Sequence, residues 1–147
     1  MPSSRQDLLD RLRRWYEAWN AHDLDGVMAL FHEDVEFENW TGGRARGREA
    51  LRAAWAPWFA DHGGFEFLEE ETFVDEAAQK ALYRWTLRWP SREPGFEGQP
   101  EVRRGVDVLH FEGGQVRRKL TFSKTTLEIG GRRVRLGARP APEGRAA

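Results

Sequence analysis

The chain has 147 residues, of which 23 are basic and 24 acidic. That length fits one domain and buries roughly two-thirds of the unfolded surface, so a core forms without staples. The absence of cysteine excludes disulfides, zinc–thiolate sites, iron–sulfur clusters and cysteine nucleophiles, and the balanced charge argues against nucleic acid or an anionic membrane as partner.

Ser4 is placed to cap a first helix, residues 5 to about 20. Leu8, Leu12, Trp15 and Trp19 recur there at helical spacing as one apolar stripe. Asn20-Ala21-His22-Asp23 breaks it, and Asp23 caps a second helix that runs from Leu24 to about Phe31. From Val35 to Asn39 the pattern alternates, with Val35, Phe37 and Asn39 on one face of a half-buried strand. Thr41-Gly42-Gly43 opens a loop that Gly47 closes. A third helix, about 48 to 59, turns Leu51, Trp55, Trp58 and Phe59 inward, and Pro57 predicts a kink or an early end.

From Gly64 onward the period falls from about 3.6 to 2. Strands are expected at 65–74, 79–89, 101–111 and 116–126. Asp75-Glu76 and Gly113-Gly114 supply hairpin turns, and a proline-stiffened loop joins Trp89 to Pro100. A last ribbon is expected at Gly130-Gly131. Residues 1–137 then make one α+β domain, with helices on one face of a curved antiparallel sheet and a disordered tail at 138–147. Seven Trp and nine Phe predict an aromatic core with room for a ligand-sized gap. No apolar run reaches the roughly 20 residues of a membrane span, and the N-terminus lacks the apolar stretch of a signal peptide. A cytoplasmic protein is expected.

Several segments carry a resemblance. They are Trp19-Asn20-Ala21-His22-Asp23-Leu24-Asp25, Ala29-Leu30-Phe31-His32-Glu33-Asp34-Val35, Gly47-Arg48-Glu49-Ala50-Leu51 and Gly105-Val106-Asp107-Val108-Leu109-His110-Phe111. With the element order, they resemble the nuclear-transport-factor-2-like superfamily. That group includes ketosteroid isomerases, limonene epoxide hydrolases and SnoaL-type polyketide cyclases. The resemblance implies a cone-shaped, cystatin-like α+β roll, with three helices packed on the concave face of a strongly bent antiparallel sheet. It also implies a pocket inside the cone and a homodimer through the outer sheet face.

Carried over residue by residue, the resemblance argues against two activities, the standard ketosteroid isomerase and limonene epoxide hydrolase reactions. Asn39 stands where an isomerase has its proton-shuttling Asp, and an amide is no general base. Trp15 holds the place of the oxyanion Tyr, and only Asp107 matches, as the second oxyanion donor. Phe37 and Asn39 fall at the Tyr and Asn of the epoxide hydrolases, and Arg84 matches their Arg. Their two Asp positions, however, are Thr86 and Thr121.

Asp107 shares a strand face with Leu109 and Phe111, and a carboxylate there must be neutral or paired. It is either an acid donating to a substrate oxygen or the partner of Lys119 or Arg84. The orientation of Lys119 turns on register. A tight Gly113-Gly114 turn pairs it with Val108, facing outward. A loop with a bulge pairs it with Leu109, facing the pocket. Arg84 shares a face with Thr86 and Arg88, as an exposed ladder or as a pocket cation. The His residues lack metal-ligand spacing, so no metal is expected.

The expected pocket is lined by Trp15, Phe37, Trp55, Thr86, Leu109, Lys119 and Thr121, with a lip at Trp40. A cofactor-independent isomerase, cyclase or dehydratase would use Asp107 as acid or hydrogen-bond donor, and Asn39 and Arg84 to position oxygen on a small cyclic or carbonyl ligand. The alternative is a non-catalytic ligand-binding or dimerisation module on the same fold. Val106, Val108 and Tyr83 are the surface residues expected at the dimer contact. No cofactor, nucleic acid or membrane partner is expected.

Overall fold

Ser4 caps the first helix as its hydroxyl accepts the Asp7 N–H at 3.1 Å. Helix α1 (Arg5–Asn20) buries the predicted stripe Leu8, Leu12, Trp15 and Trp19. Helix α2 (Leu24–Met28) starts from an Asp23 cap and stops short of its expected end. Phe31 opens strand β1 (Phe31–Glu38) instead, because the Leu30 carbonyl is taken by the Val116 N–H at 2.8 Å. Strand β2 (Arg44–Arg46) folds back across the glycine turn. Helix α3 (Arg48–Ala60) continues through Pro57 for one last turn, closed by the Asp61 N–H on the Pro57 carbonyl.

The computed structural model describes residues 1–136, so the predicted tail lies outside the described residues. After α3 come β3 (Glu66–Asp75), β4 (Lys80–Pro90), β5 (Pro100–Glu112), β6 (Gln115–Ser123), β7 (Thr126–Ile129) and β8 (Arg132–Arg135). The sheet order is β2-β1-β6-β5-β4-β3, with β7 and β8 hung on the start of β5. It is strongly curled, and the three helices fill its concave side.

The sheet is mixed, not antiparallel throughout as expected: β1 runs parallel to β6. Strand β2, helix α3 and strands β3–β5 separate the two in sequence, so they meet as a crossover and not as a hairpin.

Strand β4 alternates its side chains between the two faces, with Thr86 buried as well on the outer one. Ala81, Tyr83, Trp85, Leu87 and Trp89 are buried, while Arg84 and Arg88 are exposed. Tyr83 is therefore not at the outer surface as expected. It is buried within its own chain and stacks on Tyr16 at 4.2 Å. Gly105 on β5 exists to let Trp85 pass: a Cβ there would lie 2.4 Å from the indole ring.

The β5–β6 hairpin contains both features that decide the Lys119 register. Its turn is tight, with Glu112 opposite Gln115 and Phe111 opposite Val116. Then His110 pairs with Arg118, which leaves Arg117 over as a bulge. The bulge shifts the ladder by one residue, so Lys119 pairs with Leu109 and faces inward.

Candidate functional site

Beyond that bulge, β6 turns Lys119 and Thr121 to the concave side, and β5 brings Asp107 opposite Thr121. Both charged side chains are only 6% exposed. Lys119 Nζ lies 3.3 Å from Asp107 Oδ1 and also donates to Thr121 Oγ1. The Thr121 hydroxyl donates in turn to the same Oδ1 at 2.8 Å. Both bonds to the carboxyl group fall on Oδ1, and Oδ2 receives none among the described residues. The ammonium is boxed by aromatic faces, 4.9 Å from the Phe37 centroid and 5.6 Å from Trp55. Burial pulls the Lys119 pKa below the ordinary lysine value, and the Asp107 charge and hydrogen bond only partly restore it.

These groups sit in the wall of a cavity of about 190 Å³. Helix α1 contributes Trp15 and Trp19, and α3 contributes Ala54, Trp55 and Trp58. The sheet side supplies Phe37, Asn39, Phe67, Tyr83 and Trp85, with Trp40 following β1. Asn39 directly follows β1, and its Oδ1 accepts the Trp40 N–H at 2.8 Å. Three buried donors on residues of this wall have no partner among the described residues: Trp15 Nε1, Tyr83 Oη and Trp85 Nε1. Burial raises both the Tyr16 and Tyr83 phenols, so they stay protonated and able to donate.

Seven of the expected site residues gather here: Asp107, Asn39, Trp15, Phe37, Trp55, Lys119 and Thr121. Three do not. Arg84 lies on the outer face, 52% exposed, 3.4 Å from Glu71. Thr86 shares that outer face and donates to Glu70 at 2.7 Å. Strand alternation sends both away from Trp85 and hence from the cavity. Leu109 faces inward but is sealed in the core instead of lining the wall.

The lip at Trp40 is pinned by a cluster that sequence reasoning missed. The Arg103 guanidinium lies 4.5 Å over the Trp40 ring. Glu101 holds it at 3.2 Å and Glu93 at 2.8 Å. Glu101 also accepts from Trp89 Nε1 and Ser91 Oγ. The signal was present, since 101, 103 and 107 alternate onto one strand face. No group of three His, Asp or Glu among the described residues is placed to hold a metal ion. No helix among them is long and apolar enough to cross a membrane.

Residues 12–119 match the SnoaL-like domain, and the chain belongs to that family. An NTF2-like protein of unknown function from Mesorhizobium loti is 25% identical, covering 84% of this chain and 97% of its own, with a TM-score of 0.67. A protein of unknown function with a cystatin-like fold from Methylobium petroleophilum is 20% identical over 100% of this chain and 86% of its own, with a TM-score of 0.66. TerC, co-crystallised with polyporic acid, is 16% identical over 81% of this chain and 92% of its own, with a TM-score of 0.67. The expected superfamily and cone-like α+β fold are thus shown. This is a SnoaL-like domain with a ligand-sized aromatic cavity.

Proposed function

We propose that the chain binds a small cyclic carbonyl compound in this cavity and moves a proton on it without a cofactor. The observation that carries this is the Asp107–Lys119–Thr121 set in the wall of an otherwise aromatic cavity. An apolar cavity of ~150 Å³ takes one benzene ring. The cavity of about 190 Å³ therefore suits a single substituted ring. The unpartnered donors on Trp15, Tyr83 and Trp85 select for oxygen acceptors, since a buried donor left unmade costs about 1–3 kcal/mol.

The ion pair changes the expected role of Asp107. It is the hydrogen-bonded partner of Lys119 through Oδ1, and Oδ2, which accepts no hydrogen bond among the described residues, can take a proton from the carbon next to a carbonyl. Lys119 and the buried donors then stabilise the charge that develops on oxygen. The six indoles around the cavity exclude water and strengthen that attraction. TerC, a protein of the same fold, was co-crystallised with polyporic acid, which supports small-molecule binding on this scaffold.

The test pairs indole fluorescence quenching by cyclic ketones with NMR detection of deuterium uptake beside the carbonyl. Binding with uptake is expected, and Asp107→Asn should slow uptake on the order of 10²-fold while binding persists. Binding without uptake in the wild type establishes the non-catalytic alternative. Uptake at the wild-type rate in Asp107→Asn refutes the role of Asp107.

We also propose that a second copy covers the outer sheet face. Leu82, Val108 and Leu120 are laterally adjacent across β4–β6, and Val106 pairs with Phe122, which is 52% exposed. Light scattering should give twice the chain mass, falling to one chain mass in Phe122→Asp. A wild-type monomer refutes this contact.

A further inference from the structure

We propose that Lys119 is an amine nucleophile that captures a ligand carbonyl as a Schiff base. This rests on the cavity reading above and adds a covalent step to it.

The contrast with Arg103 carries the case. Both cations are buried on the concave side of neighbouring strands. Arg103 is held by two carboxylates, Glu101 and Glu93, and stands off the cavity wall. A guanidinium also cannot shed its proton. Lys119 has one carboxylate, one hydroxyl and two aromatic faces, and it lines the cavity. A cation built only for stability needs neither the cavity nor a side chain that can become neutral. Desolvation in this box favours the free amine, the form that attacks carbonyls. The other two lysines, Lys80 and Lys124, are exposed.

The neighbours supply the proton transfers. Asp107 takes a proton from the ammonium at 3.3 Å, and the freed lone pair on Nζ adds to the carbonyl carbon. The C=O π electrons move to oxygen, which takes that proton back from Asp107. Asp107 then removes a second proton from nitrogen and delivers it to the hydroxyl as the C–O bond breaks. Ammonium and carbonyl become iminium and water, and Asp107 ends as the carboxylate beside the new cation. Tyr83, opposite Asp107 across β4–β5, carries an unpartnered hydroxyl suited to the carbonyl oxygen. The size of the cavity selects a one-ring aldehyde or ketone.

The test uses the full chain with benzaldehyde and sodium cyanoborohydride, followed by peptide mapping. The three lysines and the N-terminal amine compete in one tube. Lys119 should be alkylated first, with a rate that saturates in benzaldehyde. Its initial rate should exceed that of Lys80 and Lys124 severalfold, because the cavity concentrates the aldehyde beside Nζ and desolvation favours the free amine. Asp107→Asn should keep the saturation, since binding persists, and lower the maximal rate, since the proton shuttle between nitrogen and oxygen is lost. Labelling of Lys80 and Lys124 with Lys119 untouched overturns the proposal. If benzaldehyde still quenches indole fluorescence in that case, the cavity reading survives. If it neither quenches nor labels Lys119, both readings fall.

Discussion

Replacing Asp107 with Asn leaves Lys119 buried without its counter-charge. Both side chains are 6% exposed, so solvent screens little of the loss, and breaking such a pair costs about 3–5 kcal/mol. Lys119 can escape by releasing its proton. From its ordinary value of 10.5 down to pH 7, that release costs at most about 5 kcal/mol. The two bounds agree. The sign with pH follows from proton counting. The folded variant binds fewer protons at Lys119 than the unfolded chain, so its stability rises with pH by up to about 1.4 kcal/mol per unit until 10.5 is approached. The deficit against wild type should therefore shrink between pH 7 and pH 9. Urea unfolding at both pH values measures it, with Asp107→Asn/Lys119→Met as the charge-free control. The control should recover at least half of the loss, because an apolar replacement for a buried pair is often neutral. A deficit below about 1 kcal/mol at both pH values, or one that widens with pH, refutes the buried-pair reasoning.

Gly105→Ala should cost about 1–3 kcal/mol by thermal unfolding, since its Cβ would lie 2.3 Å from the Phe122 carbonyl oxygen as well as against Trp85. A variant as stable as wild type would show that Trp85 is not confined there. Arg84→Ala should change stability by less than about 1 kcal/mol and leave ligand affinity unaltered, because its pair with Glu71 is exposed; a lost ligand would return Arg84 to the site. Ala54→Trp places a large ring at an exposed position on the cavity rim. It should weaken ligand binding in a fluorescence titration by a factor of ten or more, about 1.4 kcal/mol, without lowering the melting temperature. Unchanged affinity would put the entrance elsewhere.

What could be read from the sequence follows the range of the forces involved. The α1 stripe and the β4 alternation are local patterns, and both are reproduced residue for residue. Alternation alone puts Arg84 and Thr86 opposite Trp85, and it prevails where the family resemblance would turn them inward. For Lys119 the outcome reverses. The resemblance faces it inward, whereas a tight turn continued regularly faces it outward. One extra residue at Arg117 decides the matter, and no local pattern announces a bulge. The parallel pairing of β1 with β6 was hidden for a related reason: Phe37 meets Lys119 across most of the chain. Glu101 and Arg103 went unread, although they alternate onto the face of Asp107, because two charges two residues apart show their mutual pairing only after folding.

The bulge at Arg117 has a consequence for comparing this chain with its relatives. Arg117 is the residue that the ladder skips, so deleting it leaves Phe111 opposite Val116 and His110 opposite Arg118. Loss of a residue two places before the key lysine would leave the lysine facing the same way. Lineages can thus gain or shed this position without rewriting the chemistry beyond it. An alignment gap belongs at 117 and nowhere later in the strand. Placed at 119, the gap would leave Lys119 with no counterpart, and placed later in the strand it would set Lys119 against a residue that faces the opposite side of the sheet.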